Sequence, residues 1–268
     1  MKRKLFIFIF VIILFVGFYF SNKIETVSYT FIKSAKENIL KNNVSSYKTA
    51  ESEHFILKYS PEDQKYVSLV LKIAEKHYKG VTKDLGYEPK NKSLIIMYHD
   101  PEKMNKDFSL AKGESAMGLY LNGVISIQSP ELWISPGQDL EKVFEHDGPI
   151  VHEFTHLIVD NVAKGNYPVW FTEGIALLEE YRENGFIWGE GIEEDKPYSL
   201  EELTYKFNQL DEVLAYKRSF EIVKAISDKY GMQSIRDILK YLGNGLSLEN
   251  SFYKVTGEDL NHFVNSLQ

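Results

Sequence analysis

Two histidines lie four residues apart in the segment VHEFTHLIVD, and a glutamate directly follows the first of them. On a helix, four residues turn through about 400°, so His152 and His156 lie roughly 40° apart, one turn above the other. Both imidazoles can then bind one metal ion, and Glu153 points beside it, where a bound water would lie. This H-E-x-x-H arrangement predicts a hydrolytic zinc site with Glu153 as the general base. The motif alone leaves one alternative open, a surface helix that carries two solvated histidines.

A two-histidine zinc site needs a third protein ligand and an open position for water. The segment NYPVWFTEGIALLEEY (Asn166–Tyr181) begins a second helix after a short turn, and that helix must fold back beside the first. We predict Glu173 as the third ligand, because a glutamate on an adjacent antiparallel helix fits this need. Gly174 and Ala176 follow it and are small, which allows close helix approach. Three further glutamates are alternatives for this ligand, but they lie near the helix end among polar residues, and we interpret them as a solvent-facing side: Glu179, Glu180 and Glu183.

Composition limits what else the chain can do. It contains no cysteine, which excludes disulfides, thiolate metal ligands and a cysteine nucleophile, so His, Asp or Glu must hold any metal. The formal net charge is −7, and no basic stripe interrupts the sequence. We therefore expect no nucleic-acid partner.

The two helical segments resemble the gluzincin metallopeptidases, and most closely the peptidase MA-like family. In that family HExxH is followed by a Pro-x-Trp-x-x-Glu-Gly-x-Ala helix, and here HEFTH is followed by PVWFTEGIALLEEY. The resemblance continues in Tyr198–Gly231, where a tyrosine precedes a helix that ends in Tyr-Gly, and it covers about Gly113–Gln268.

This resemblance implies a thermolysin-like fold and one zinc ion per chain, bound by His152, His156 and Glu173, with Glu153 as the catalytic acid and base. It also implies a tyrosine that donates to the tetrahedral intermediate, and Tyr216 matches that position. The alternative for Tyr216 is a core tyrosine on an amphipathic helix. The spacing from the second histidine to the third ligand is shorter than in thermolysin, so the outer residues of that enzyme's zinc site are not carried over.

The sequence patterns around these residues predict an α+β chain, with a small mixed sheet followed by a mainly helical half. Glu53–Tyr59 and Ser93–His99 are predicted strands, and a helix from Pro61 to about Asp84 lies between them. The H-E-x-x-H helix is predicted from Pro149 to about Lys164. His146 and Asp147 precede it, and we interpret them as part of a solvated loop. The alternative is that they support the metal ligands or contact the substrate.

Asn122-Gly123 separates two β-type runs within Met117–Gln128, which predicts a hairpin. An edge strand beside the H-E-x-x-H helix can pair with an extended substrate backbone, and residues Gly113–Gly118 would then border the cleft. A purely structural sheet edge is the alternative.

The N-terminus, MKRK, is followed by an unbroken apolar run, Leu5–Phe20. At 1.5 Å per residue the run spans about 24 Å, against roughly 30 Å of hydrocarbon, and flanking lysines can extend it. No small-x-small cleavage site follows the run. We predict a single-pass membrane anchor at residues 1–22, or a secreted protein if the segment is cleaved.

The positive flank of the anchor should stay in the cytoplasm, which leaves the rest of the chain outside. Residues 23–52 are predicted as a linker or stalk, and residues 53–268 as a metallopeptidase-like domain. Within the stalk five apolar residues recur at helical spacing, which favours a stalk helix: Val27, Phe31, Ile32, Ala35 and Ile39.

Together these features predict a membrane-anchored, extracytoplasmic zinc metallopeptidase that acts on peptide or protein substrates. Two alternatives stay open, a catalytically silent, metal-stabilised binding module for peptides or the cell wall, and a structural protein without metal. The presence of Glu153 beside all three predicted ligands favours catalytic activity.

Overall fold

The computed structural model describes residue 29 and residues 32–108, 116–192 and 196–267. The anchor predicted at residues 1–22 lies outside this part of the chain. Within the described residues, no helix is both long enough and apolar enough to cross a membrane. The structure is a mixed α and β fold, as the order of sequence patterns predicted.

One mixed sheet of five strands has the order β1-β2-β3-β5-β4. The strands are β1 (Lys48–Glu51), β2 (Phe55–Tyr59), β3 (Ser93–Tyr98), β4 (Gly118–Leu121) and β5 (Val124–Gln128). The three inner strands β2, β3 and β5 run parallel, and the two outer strands pair antiparallel with their neighbours. The predicted hairpin is present as β4 and β5, joined by Asn122 and Gly123 with positive φ. This turn leaves β4 at one edge of the sheet.

Helices supply the rest of the described structure. They are α1 (residues 32–43), α2 (Val67–Leu85), α3 (Pro101–Phe108), α4 (Leu140–Asp147), α5 (Ile150–Ala163), α6 (Val169–Glu183), α7 (Leu200–Lys206), α8 (Glu212–Tyr230), α9 (Met232–Gly243), α10 (Leu248–Thr256) and α11 (Leu260–Asn265). Short 3-10 turns occur at Pro61–Tyr66, Pro130–Leu132 and Phe207–Gln209. His146 and Asp147 therefore belong to the end of α4 and not to a loop.

Strand β3 is buried on both faces of the sheet, which explains why its sequence SLIIMY is almost continuously apolar. Alternate residues Ile95 and Met97 join the main core, to which α2 and α5 contribute. Their neighbours, among them Leu94 and Ile96, join a smaller core with residues of α1 and α3. The main core continues into the helical half, where α6 packs between α5 and α8.

Helix α1 is present within the predicted stalk, but it contacts the domain through a different face. Ile32 and Ile39, two of the residues at helical spacing, are exposed, whereas Leu40 is buried. The contacting side includes Lys33, whose ammonium bonds Asp160 on α5. Strand β1, which the sequence analysis also assigned to the stalk, pairs with β2. Residues of the predicted stalk therefore complete one edge of the sheet and cover one of its faces.

Candidate metal centre

The H-E-x-x-H helix α5 is buried along most of its length. It packs against β4 and β5 and against helices α2 and α6. Buried Ile150, Val151 and Phe154 fix the rotation of the helix about its axis. The rings of His152 and His156 lie one turn apart, with centroids 4.7 Å apart and planes at 76°. Both imidazoles face α6.

Helix α6 brings Glu173 to the two histidines. Trp170 and Phe171, just before Glu173, are fully buried and anchor the first turn. Gly174, just after it, packs against α8, where an added Cβ would lie 2.4 Å from the carbonyl oxygen of Ser219. A side chain at position 174 would therefore separate α6 from α8 and displace Glu173. The small residue that sequence analysis linked to helix approach serves the contact with α8.

The three predicted ligands converge. Nε2 of His152 lies 3.1 Å from Oε2 of Glu173, and Nε2 of His156 lies 3.3 Å from the same oxygen. One ligand atom from each residue lies within 4.8 Å of the others. Two imidazole nitrogens and one carboxylate oxygen are the donor set of many catalytic zinc sites. The residues therefore fit a zinc ion.

The other ring nitrogens of both histidines are held by outer partners. Nδ1 of His152 lies 3.1 Å from Oε2 of Glu180, and Nδ1 of His156 lies 2.7 Å from Oγ1 of Thr172. Such bonds fix the orientation of each ring and leave Nε2 free to face the ligand position. The interpretation of Glu180 as a solvent-facing residue is therefore wrong. Only 7% of Glu180 is exposed.

The interpretation is also wrong for Glu179, which is fully buried. Burial, followed by the charge of Asp84, raises the pKa of Glu179 well above its ordinary range. Glu183 is partly buried, and its Oε2 lies 2.9 Å from Nδ1 of His77 on α2. Because α2, α5 and α8 all contact α6, the three glutamates do not form a solvent-facing side, and the exposed residues at this end of the helix are Tyr181 and Arg182.

Opposite charges shift the pKa values of the cluster. Burial lowers the pKa of His152, but the charge of Glu180, together with hydrogen bonds to Glu173 and Glu180, raises it overall well above its ordinary value. Burial raises the pKa of Glu173, but the charge of His156 and hydrogen bonds from both histidines lower it well below its ordinary range. Glu173 is therefore a carboxylate that attracts positive charge. A metal cation would replace the imidazole protons, which must leave before the nitrogens can bind it.

Glu153 lies beside the cluster and is only 6% exposed. Burial raises its pKa, although the charges of His152 and His156 act in the opposite direction. The edge strand β4 passes close by, since a Cβ on Gly118 would lie 2.7 Å from Oε1 of Glu153. Gly118 therefore lies against the Glu153 side chain, and its place at the border of a substrate cleft stays a prediction. Gly113 lies outside the described residues.

Tyr216 reaches the cluster from α8. Burial, followed by the negative charges of Glu173, Glu212 and Glu153, raises its pKa. The phenol therefore stays protonated at neutral pH and can donate a hydrogen bond. Its ring is half-buried and packs between Trp188 and Phe207, at 5.5 and 5.6 Å between centroids. The structure places Tyr216 at the edge of the cluster and not in the interior of the core.

A second buried polar cluster lies one turn further along α5, around Asp160. The tyrosine hydroxyls of Tyr29, Tyr120 and Tyr167 all donate to its carboxylate. Nζ of Lys33 lies 2.7 Å from the same group. This Asp160 cluster joins α1, β4 and the turn after α5 to the helix that carries the histidines.

Residues 81–268, which include the metal cluster, match the model of the peptidase MA superfamily. The chain belongs to the peptidase MA superfamily. The resemblance inferred from HEFTH and PVWFTEG is thereby confirmed, and the matched part is a gluzincin-type, peptidase-like domain. Comparison with curated protein sequences gives no match.

The peptidase MA domain brings all five predicted site residues together, whereas sequence reasoning missed Glu180 and Thr172. A signal for Glu180 was present. Seven residues turn a helix through about 700°, so Glu180 lies within roughly 20° of Glu173 on the same face. His146 and Asp147 are exposed, and their side chains bond each other. Among the described residues, neither side chain forms a hydrogen bond or ion pair with a metal ligand.

Proposed function

We propose that this peptidase MA domain is a zinc metallopeptidase that hydrolyses peptide bonds, and that its helical half is thermolysin-like. His152, His156 and Glu173 would bind one zinc ion, and Glu153 would act as general base. The observation that carries the proposal is the convergence of two imidazole Nε2 atoms on the Glu173 carboxylate beside the buried Glu153.

Zinc bound to these ligands would polarise the scissile carbonyl and lower the pKa of a bound water towards neutrality. Glu153 takes the proton of the attacking water and passes it to the leaving amine. Its raised pKa, caused by burial, suits a carboxylate that must hold the proton between the two transfers. Glu180 and Thr172 keep the two imidazoles oriented. The hydroxyl of Tyr216 donates to the substrate oxygen that becomes negative.

The edge strand β4 supplies a surface for the substrate backbone. An extended peptide can add to such an edge as a further strand. Gly118 brings that edge next to Glu153, because its lack of a side chain lets the strand approach the Glu153 and Pro149 side chains closely. Peptides in an extended conformation are therefore the proposed substrates.

We further propose that the domain acts outside the cytoplasm, held at the membrane by residues 1–22. The support is the apolar run Leu5–Phe20 behind a basic start. Membrane fractionation of the full-length chain, with a protease added to intact cells, tests this location. Recovery of the chain from the cytosol, inaccessible to the protease, would refute it.

The proposed chemistry is tested on the full-length chain by metal analysis and peptide hydrolysis. We expect one zinc per chain and a decrease in turnover of about 10²–10⁴-fold for Glu153→Gln, with zinc retained. Glu201→Gln, at an exposed position on α7, is the matched control and should leave turnover unchanged. A chain without stoichiometric zinc would refute the site. Zinc-loaded protein that hydrolyses no peptide would instead support the silent binding module.

A further inference from the structure

Helix α1 has two apolar sides, and only one of them packs against the domain. Leu40 on the inner side is buried and belongs to the smaller core, together with residues of β3 and α3. Ile32 and Ile39 are 50% and 58% exposed, and Ala35 between them is exposed as well. At 100° per residue, these three side chains fall within about 60° of one another around the helix. We call this set, Ile32, Ala35 and Ile39, the outer stripe.

The outer stripe differs from the scattered apolar exposure that is normal on protein surfaces. Its members share one face of a helix, which is the arrangement of a side that packs against an apolar environment. The sequence pattern described above also places Val27 and Phe31 at helical spacing ahead of Ile32. The pattern therefore continues along the chain in the direction of the predicted anchor, whose apolar run ends at Phe20.

The place of the outer stripe in the chain keeps it close to that anchor. Eleven residues, 21–31, separate the end of the apolar run from the first residue of α1. A chain of this length spans roughly 17–20 Å on average, whether it is helical or a flexible coil. With residues 1–22 inserted in a membrane, the first turn of α1 would therefore stay near the membrane surface.

Charge also distinguishes this part of the chain from the rest. Residues 23–43 contain four lysines and two glutamates, whereas the whole chain has a formal net charge of −7. Lys36 is exposed on α1, about 40° around the helix from Ile32. A lysine beside an apolar stripe can place its ammonium among lipid phosphates while its methylene groups cover apolar surface. The segment therefore suits an anionic lipid surface better than the acidic remainder of the chain does.

We propose that the outer stripe of α1 lies in the surface of the lipid bilayer, with the helix parallel to the membrane plane. This inference rests on the proposed membrane location and adds the face by which the domain meets the lipid. Leu40 of α1 packs on the face of the sheet that carries Leu94 and Ile96, whereas α5 packs on the face that carries Ile95 and Met97. The metal ligands would therefore lie on the side of the sheet away from the lipid.

The absence of cysteine from the chain makes a direct test possible, because one introduced cysteine can carry a fluorescent probe. Ala35→Cys places the probe in the outer stripe and keeps both isoleucines. Ser34→Cys places it at the neighbouring exposed position, about 100° around the same helix, and is the matched control. The full-length chain is reconstituted into vesicles of phosphatidylcholine and phosphatidylglycerol in equal amounts. Spin-labelled lipids quench a probe in the bilayer, and iodide on both sides of the membrane quenches a probe in water.

We expect the probe at position 35 to lie about 5–10 Å into the boundary between headgroups and acyl chains, and the probe at position 34 to stay in water. Adding Ile32→Ser and Ile39→Ser should return the probe at position 35 to water, because the stripe then loses its two large apolar side chains. Tyr253→Ser, which removes an exposed ring from α10, should leave the depth unchanged. All three substituted side chains are exposed, and thermal melting establishes that the fold is intact.

Iodide quenching that is equal at positions 34 and 35 would overturn the inference. A probe at position 35 that is shielded from both quenchers would overturn it too, since protein, either another segment of the chain or a second copy, would then cover the stripe. A depth at position 35 that survives both isoleucine substitutions would likewise contradict it.

Alkaline washing of the vesicles separates this inference from the proposed location. A chain that resists washing while its outer stripe stays in water refutes the inference and keeps the anchor. Lipid quenching at position 35 in a chain that alkali removes would refute the anchor and leave the contact of the stripe with lipid standing. A chain that alkali removes and whose stripe stays in water refutes both.

Discussion

The two buried polar clusters on α5 both combine a carboxylate with hydrogen-bond donors. They differ in which lone pairs can still bind a cation. Around Asp160, three tyrosine hydroxyls and the Lys33 ammonium all donate to one carboxylate. Around Glu173, two imidazoles direct their Nε2 atoms at one carboxylate while their Nδ1 atoms are held by other residues. Both clusters contain one central acid with hydrogen-bond donors around it, from several elements for Asp160 and from α5 alone for Glu173.

The difference lies in the lone pairs. A lysine ammonium has no acceptor, and burial followed by the charge of Asp160 raises the pKa of Tyr120, so the donors around Asp160 keep their protons. An imidazole that loses its proton offers a lone pair, and two of them then point with Glu173 at one position. Burial and polarity alone therefore do not identify a functional site. A functional site is identified by lone pairs that converge on one position and by outer partners that orient the groups carrying them.

The largest effect on zinc is expected for Glu173→Gln. The change removes a charged ligand and leaves two imidazoles, so zinc affinity should fall by more than the ~100-fold limit for an outer partner, and turnover should be lost with it. Isothermal titration with zinc measures the first effect and peptide hydrolysis the second. Unchanged zinc affinity would exclude Glu173 as a ligand. The two clusters would then no longer differ in their capacity to bind a cation.

Tyr216→Phe should lower turnover by about 10²–10³-fold, because it removes one donor to the developing negative charge. Zinc content should not change, since the hydroxyl is not a ligand. Tyr167→Phe, which removes a hydroxyl from the Asp160 cluster, is the matched control and should leave turnover near that of the parent chain. Equal turnover for the two variants would show that Tyr216 contributes to packing and not to catalysis.

Glu180→Gln should weaken zinc binding by about 10–100-fold, because His152 loses the carboxylate that orients its ring. The effect should appear in competition with a metal chelator. Glu183→Gln, one turn further along α6 and bonded to His77 instead, is the control. A zinc affinity unchanged by Glu180→Gln would show that the ring needs no outer partner.

Asp160→Asn should leave zinc affinity and turnover nearly unchanged and act on stability. It removes the ion pair with Lys33 and turns amide protons towards the tyrosine donors, which should lower the free energy of unfolding by roughly 3 kcal/mol. Chemical denaturation in the presence and absence of zinc measures the loss. A large decrease in zinc affinity for this variant would mean that the two ends of α5 are coupled.

The sequence alone predicted more of the candidate site than of the structure around it. Helix starts near Pro149 and Pro168 were predicted and are observed, and the hairpin at Asn122-Gly123 is present. The docking face of α1 was not predicted, because its main polar contact joins Lys33 to a residue far along the chain. The burial of the polar end of α6 could not be predicted, because composition does not reveal how many helices surround a segment.

By itself the sequence determined the family, the α+β layout and the set His152, Glu153, His156 and Glu173. These follow from spacing within one helix and from a motif in the next. Helix geometry fixes the relative positions of residues that are only a few positions apart in sequence. Only the tertiary structure decided which atoms hold the outer nitrogens, that Gly118 lies against Glu153, and that Tyr216 lies near Glu173. Those contacts join α5, α6, α8 and β4 across long stretches of chain, so they depend on how the elements pack and not on the order of their residues.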